Sequence, residues 1–549
     1  MAADPTNPNN SALDSTINTY FRATSNMQTQ QHSSTDDGDC EKAMHTGDED
    51  VAKSPTTTDL ENARNAGLMA LSPIEKRKVI RRVDLRVTCV LGLIYCISQM
   101  DRNNLGFAAI AGMNADLGMD GTKYSIVILV MFITYVAFQP VATVLMRIIG
   151  PRYFLSAITV SWGAVVIGFG FSTKWWELIP LRLVLGALEA GVFPGSVYLL
   201  SCWYPRYDLQ KRTALFYLIG TIASAFTGIL AYGLSQMGGL GSGAGLGTHF
   251  GPTEANPNAP AGIMSGIAGW RWIFIMLGVI TVVCGLVSLF FIVDFPENAS
   301  KKSFGMTFLN EKEVAFFVAR IEEDRLDVVA EEFNLRAYLK NAADLKLWAF
   351  ASLFGLTTTT NYAVAYFLPI ILRNSMGFSI AQAQCLTAPP FVAAGITMIT
   401  LGWISDKYRI RGPIVLLNAT VSIIGLCILG FAKGTAVRYF SVFLIASSGS
   451  SNTPGIVTWQ SNNVRGQWKR AFGSAAVVAF GGLGGIIGGT VFRTEDAPLY
   501  RPGIYACLIA NFLIVFISLI LMMTLHRANK RADSGQKVIQ GLAGFRYAV

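Results

Sequence analysis

The 549-residue sequence has little charge: 14% of its residues are Asp, Glu, Lys or Arg, against 52% hydrophobic. Soluble domains carry about 25% charged residues, so a cytosolic enzyme is excluded as the default reading. Histidine is scarcer still. His32, His45, His249 and His526 are the whole supply, and all lie outside the long apolar runs. No histidine box for a membrane-bound metal oxidase is present, and no nucleophile-elbow or metal-ligand spacing replaces it. Eight cysteines occur without CxxC or paired spacing. Those in apolar runs (Cys89, Cys96, Cys202, Cys284, Cys427, Cys507) read as small hydrophobes. No enzyme activity, metal or cofactor is expected.

What the sequence has is length of apolar run. Crossing a ~30 Å hydrocarbon core takes roughly 20 residues. Six such segments, near 88–112, 124–146, 153–173, 178–203, 212–235 and 271–293, precede a charged connector at 294–346. Six more follow, near 347–372, 384–404, 413–432, 437–459, 470–491 and 503–525. The fold class is therefore an all-α polytopic membrane protein, with about twelve transmembrane helices in two six-helix bundles (72–293 and 347–525). In the connector, Asn310 followed by Glu313 has capping-box spacing and predicts a surface helix.

Residues 1–71 form an acidic tail, with eleven Asp and Glu against four Lys and Arg, which leaves the rest of the chain strongly basic. The tail has no apolar stretch behind a basic one, so it is not a signal peptide. Its composition predicts disorder. The basic surplus elsewhere sits at helix ends, which argues for membrane topology and against nucleic acid. With the connector left out, 21 Lys and Arg flank the segments on one side and 8 on the other. That bias predicts both termini, the connector and the tail at 526–549 in the cytoplasm. The Gly- and Pro-rich loop at 236–269 is then outside; it lacks GxGxxG spacing, so nucleotide binding is not expected. The sequons at Asn9, Asn298 and Asn418 fall in the tail, the connector and a span, and none is expected to carry glycan.

Charges inside apolar segments are the informative residues. Asp101 and Arg102 lie in the first, Arg182 and Glu189 in the fourth. Insertion of a central charge costs about 2.5–3.5 kcal/mol, so four together cost on the order of 10 kcal/mol unless they face a cavity or one another. Arg182 and Glu189, seven apart, share a face about 10 Å apart along the axis. A bound anion or Asp101 could lie between them. A purely structural network joining two helices is the alternative. Arginine offers a fork that matches a carboxylate, and a partly desolvated carboxyl can change protonation as a cavity opens and closes. These four residues therefore suit anion transport, with Arg182 expected to meet the substrate carboxylate.

Weaker candidates follow. Asn361, Tyr362 and Tyr366 form a helical stripe in the seventh segment, for binding or for packing. The tenth carries Ser447, Ser448, Ser450, Ser451, Asn452 and Thr453 before Pro454, which serves either a kink or a substrate-facing wall. Gly481, Gly485 and Gly489 in the eleventh have the spacing of close helix packing.

These residues also resemble a family. Met100-Asp101-Arg102-Asn103-Asn104-Leu105-Gly106 is similar to the first-helix DRxNLG signature of the anion:cation symporter group of the major facilitator superfamily, in its fungal allantoate-permease-like branch. Arg182, Gly186, Glu189, Ala190, Gly191, Pro194 and Gly195 resemble that group's fourth-helix RxxxGxxEAGxxPG signature, which Trp203-Tyr204-Pro205 and Lys211-Arg212 extend. The superfamily's gating motif resembles the run from Gly402 through Asp406, Lys407 and Arg409 to Arg411 and Gly412. Its copy between the second and third helices keeps Arg147, Gly150 and Arg152 but lacks the acidic residue. The resemblance covers about Val83 to Arg527.

The resemblance implies two pseudo-symmetric bundles rocking about a central site, and proton-coupled uptake of a small organic anion across the plasma membrane. Relatives carry allantoate, nicotinate, pantothenate or biotin. It assigns Asp101 and Glu189 as proton-linked carboxylates and Arg102 and Arg182 as anion-associated. Asn361, Tyr362 and Asn452 join the candidate substrate contacts. The partners expected are thus an organic anion, protons and the bilayer. Export of an acidic metabolite and a non-transporting nutrient sensor are the alternatives. Drug-proton antiporters carry a Gly-Pro pair in the fifth helix, and Gly220 through Gly233 here has none.

Overall fold

Ser72 starts the first helix: its Oγ accepts from the N–H of Glu75, while the Glu75 carboxylate accepts from the N–H of Ser72. Pro73 at the first helical position strengthens that start. From there the chain is helical to Asp116, about a turn of π-helix marking Asp84–Cys89 and another Ala109–Met113. The first span thus begins well before the apolar run at 88, because a basic, capped turn prolongs it.

The computed structural model describes residues 69, 71–119, 122–241, 246–247, 249–250, 262–263, 266–296, 299, 308–325, 340–464, 467–497, 499–536, 538–540 and 545–549. The acidic tail up to 68, most of the Gly-rich loop and two sequons, Asn9 and Asn298, lie outside them. Asn418 is buried within the ninth span.

Among the described residues, ten helices are long and apolar enough to cross a membrane: Pro73–Asp116, Lys123–Ile149, Pro151–Phe169, Trp175–Trp203, Arg212–Ser235, Gly269–Phe291, Ile380–Tyr408, Gly412–Phe431, Phe472–Val491 and Arg501–Asp533. They account for the first to sixth, eighth, ninth, eleventh and twelfth spans. The seventh, Leu345–Asn374, and the tenth, Thr435–Asn463, are as long but more polar. Their dilution has named causes: the buried run Thr357–Thr360 with Asn361, and the Ser447–Thr453 cluster. A span may be polar only where protein or a cavity, not lipid, faces its polar stripe. The low hydropathy of these two helices therefore already marks what they surround. Each contains a proline, Pro369 or Pro454, as a kink site. The one strand pairing among the described residues joins His249–Phe250 to Gly262–Ile263 in the loop after the fifth span.

The chain divides into two compact units. The smaller takes residues up to Arg86, Leu199–Leu209 and Val293–Val329. In it the helix Glu311–Arg325 begins as its capping residues predict, the Glu313 carboxylate accepting from the N–H of Asn310 at 2.9 Å. Glu313 also pairs with Arg82 at 3.4 Å, Arg320 pairs with Asp208, and Trp203 sets its ring edge-on to Phe317. The larger unit, Val87–Tyr198, Gln210–Ile292 and Ala330–Val549, contains the bundle.

Within the bundle both halves meet toward the end away from the Gly402–Gly412 motif. Tyr124 donates to the carbonyl of Tyr366, and Gln384 Nε2 donates to that of Phe107. Between the second and eleventh spans the fit depends on glycine. A Cβ at Gly482 would stand 2.1 Å from Val136, at Gly485 2.3 Å from Phe132, and at Gly489 2.4 Å from Ile128. One ridge of the second helix, residues 128, 132 and 136, thus lies in a groove of missing side chains. Gly481, the first glycine of the expected stripe, instead faces Phe354 of the seventh span.

Candidate functional site: a central cavity behind one arginine

Successive residues on a helix point about 100° apart, so four polar residues in a row must face different neighbours. Asp101, Arg102, Asn103 and Asn104 do so, all buried. Asp101 accepts from Trp162 Nε1 of the third span at 3.0 Å, from Thr281 Oγ1 of the sixth at 3.1 Å and from Asn104 at 3.3 Å. Asn103 donates to Ser224 of the fifth. Arg102 turns to the centre: its Nε lies 2.7 Å from Glu189 Oε2, and its Nη1 donates to the Tyr362 hydroxyl at 3.1 Å. The guanidinium sits 4.5 Å from the centre of the Tyr135 ring. Two opposite charges removed from water are tolerated only when paired and hydrogen-bonded, and Arg102 with Glu189 meets that condition.

The fourth helix delivers Glu189 because Gly186 lets it press against the second: a Cβ there would lie 2.2 Å from the Met131 carbonyl oxygen. Arg182, two turns earlier, does not join the pair. It is 1% exposed, donates to the Met131 sulfur at 3.4 Å and lies 4.9 Å from the Phe169 ring centre. Its Nε has no hydrogen-bond partner among the described residues. Arg182, expected to meet the substrate carboxylate, is not among the residues that line the central cavity.

A cavity of about 150 Å³ lies between the halves. Its polar wall includes Arg102, Gln99, Asn103, Gln139, Asn361 and Tyr362, and its aromatic wall includes Tyr95, Tyr135, Phe193, Tyr217 and Phe391. Arg102 is the one charged residue on that wall among the described residues. Asn361 donates to Thr453 Oγ1 at 2.9 Å and to the Gly449 carbonyl at 3.2 Å, which ties the seventh span to the tenth. Asp101, Arg182 and Glu189 stand behind the wall, as does Asn452, buried at 2% exposure.

The sequence reading overlooked Tyr95, Tyr135, Gln139 and Tyr217. Their signal is periodic: Tyr95, Gln99 and Arg102 fall at i, i+4 and i+7, and so do Tyr217, Thr221 and Ser224. Polar stripes of that spacing in apolar helices face one side.

At the end of the eighth span, Asp406 pairs with Arg411, whose Nη1 donates to Ser405 Oγ at 3.0 Å; Lys407 lies over Trp403. Arg409 closes the helix with a left-handed φ of 56°, and Gly402 is open, with nothing within 4 Å of where a Cβ would stand. In the degraded first-half copy, Arg147 lies 6.0 Å from the Tyr198 ring and Arg152 Nε donates to the Leu289 carbonyl at 2.6 Å. A ring and a carbonyl there face the two arginines.

Among the described residues, twelve long helices in two halves around a central cavity form a multi-pass membrane protein. The chain belongs to the Major Facilitator Superfamily, whose family model matches residues 91–489. It is 29% identical over 460 residues to the high-affinity nicotinic acid transporter of Saccharomyces cerevisiae, covering 84% of this chain and 79% of that one. It is 28% identical to the MFS-type transporter cnsO of Penicillium expansum (85% and 87% covered) and 27% identical to the major facilitator-type transporter hxnP of Emericella nidulans (88% and 95%). A bacterial homolog of the human lysosomal transporter Spinster shares the fold, with a TM-score of 0.57 at 13% identity over 80% of this chain and 95% of that one. The chain is a transporter of a small molecule, not an enzyme.

Proposed function

We propose that the protein is a proton-coupled symporter that takes up a small organic monocarboxylate, within the allantoate-permease-like branch of the anion:cation symporters. One observation carries the reading: among the described residues the cavity wall holds a single cation, Arg102, whose counter-ion Glu189 stands behind it rather than in the cavity. An entering carboxylate competes with Glu189 for the guanidinium, and the displaced carboxyl takes up a proton. Tyr362 and Asn361 supply further hydrogen bonds, and the aromatic wall suits a flat ring. The nicotinic acid transporter among the relatives supports an aromatic carboxylate. Asp101 is proposed as a second proton-linked carboxyl, and Arg182 and Asn452 as supports that reach the substrate in another stage of the cycle. Asp406, Lys407, Arg411 and Gly402 are proposed to hold the inner mouth.

The test is uptake of a labelled panel of monocarboxylates and their neutral amides, with and without an inward proton gradient. Uptake should favour the acids and collapse with the gradient; amides transported equally well, or indifference to the gradient, would overturn the reading. Arg102→Lys keeps charge but loses the fork. It should raise KM by about tenfold, the equivalent of one strong hydrogen bond.

The proposed topology places both termini and the connector in the cytoplasm and the protein in the plasma membrane. An epitope inserted into the loop at 236–269 should react with antibody on intact cells. Reaction only after permeabilisation of cells that carry the protein at their surface would reverse the orientation.

A further inference from the structure

The described segment Phe545–Val549 is gripped by side chains. Asn463, at the end of the tenth span, donates from Nδ2 to the Ala548 carbonyl at 2.9 Å and accepts at Oδ1 from the Ala548 N–H at 2.8 Å. Asn529, near the end of the twelfth, treats Tyr547 identically, donating at 2.9 Å and accepting at 2.8 Å. A side-chain amide offers one donor and one acceptor side by side, so each Asn reads a residue's backbone as a neighbouring strand would. Trp459 Nε1 also donates to the Ala548 carbonyl at 2.9 Å, and the Arg411 N–H to that of Val549 at 3.3 Å.

Two side chains of the segment have polar partners: Arg546, whose Nε pairs with Asp533 at 2.6 Å, and the more deeply set Tyr547, 8% exposed. Its hydroxyl accepts from Lys346 Nζ at 2.7 Å and from Gln540 Nε2 at 3.3 Å. Phe545, Ala548 and Val549 pack on the cluster that contains Trp459 and Phe350. Lys346 lies 3.8 Å from Asp344, which pairs with Lys469 at 2.5 Å. The segment therefore touches the seventh, ninth, tenth and twelfth helices directly and reaches the start of the eleventh through one carboxylate. None of these residues lines the central cavity.

We infer that this face is a peptide-recognition site, occupied in cis by residues 545–549, which straps the helix ends of the C-terminal half together beside the Gly402–Gly412 motif. It reads two consecutive backbone units through Asn529 and Asn463, and selects an aromatic hydroxyl at the first of them through Lys346. The partner is fixed by that chemistry: an extended segment with tyrosine followed by small and apolar residues. A mere packing contact would hold the segment only by tethering. A recognition site takes it back when the tether is cut.

The test uses a chain shortened to end at Gln540, in nanodiscs, with a fluorescent peptide of residues 541–549 added in trans. Saturable binding is expected, weakened about tenfold or more by Asn463→Ala with Asn529→Ala, given a net contribution of about 1 kcal/mol per hydrogen bond. A scrambled peptide should not bind. Hydrogen exchange at 411–415 and 456–464 should quicken in the shortened chain and slow again with peptide. No saturable binding, equal binding of the scrambled peptide, or exchange unmoved by shortening would overturn the inference. Should the shortened chain not fold, the full-length double Asn variant decides it. The Tyr547 and Ala548 amides then exchange about tenfold faster, or the site is not one.

Discussion

Replacing Glu189 by Gln is expected to abolish acid-driven accumulation while leaving substrate binding and exchange in place. Glu189 is fully buried and holds Arg102 Nε at 2.7 Å. Gln keeps the shape of the protonated carboxyl but cannot release a proton, so the variant is fixed in the form that leaves Arg102 to the anion. One unit of pH difference is worth about 1.4 kcal/mol per proton, or about tenfold accumulation. In reconstituted vesicles with such a gradient, the wild type should approach that ratio and the Gln variant should stay near equality. Both should exchange internal for external substrate. A Gln variant that still concentrates substrate would move the coupling role to Asp101, which has hydrogen-bond donors but, among the described residues, no cation at contact distance.

A second large effect is expected at Gly489. Even a methyl there meets Ile128 Cγ2 at 2.4 Å, so Gly489→Leu should hold the second and eleventh helices apart. Closure on that side is a required stage of alternating access. Uptake should fall about tenfold or more at unchanged surface expression, on the scale of the 1–3 kcal/mol that overpacking costs. A cysteine placed at Ser125, on the same side, should become more reactive to an impermeant thiol reagent. Ile128→Ala makes room and should restore uptake in the double variant. Gly233→Ala, where nothing lies within 4 Å of the new Cβ, is the control. Full activity in Gly489→Leu would show that this packing is not part of the cycle.

The spans were legible because hydrocarbon demands apolar length, and the capped start at Asn310 because capping is a local chemistry. The seventh and tenth helices show the reverse: their weak hydropathy is the imprint of a cavity, readable from Thr357–Asn361 and Ser447–Thr453 once two halves are assumed. The site's four charges could be found by position but not paired. Spacing along one helix puts Arg182 and Glu189 on one face, yet Met131 and Phe169 from two other helices engage Arg182, and Arg102, 87 positions before Glu189, becomes its partner. Pairing between helices is decided by their packing, which one strand of sequence does not contain. The grip on Tyr547 and Ala548 was hidden for the same reason, since Asn463 and Asn529 are unremarkable helix-end amides until the chain folds back.

The single cation on the cavity wall also fixes how the proposed carrier responds to voltage. Empty, Arg102 is balanced by ionised Glu189. Loaded, it is balanced by the substrate carboxylate, with Glu189 neutralised by its proton. With Glu189 alone titrating in the cycle, the moving site has the same net charge in both forms, so one anion and one proton cross together without carrying current; a second proton taken up at Asp101 adds one positive charge to the crossing. An anion crossing alone would work against an inside-negative potential at about 2.3 kcal/mol per 100 mV. With the proton aboard that penalty vanishes, and the yield of uptake depends on the acidity outside rather than on how strongly the membrane is polarised.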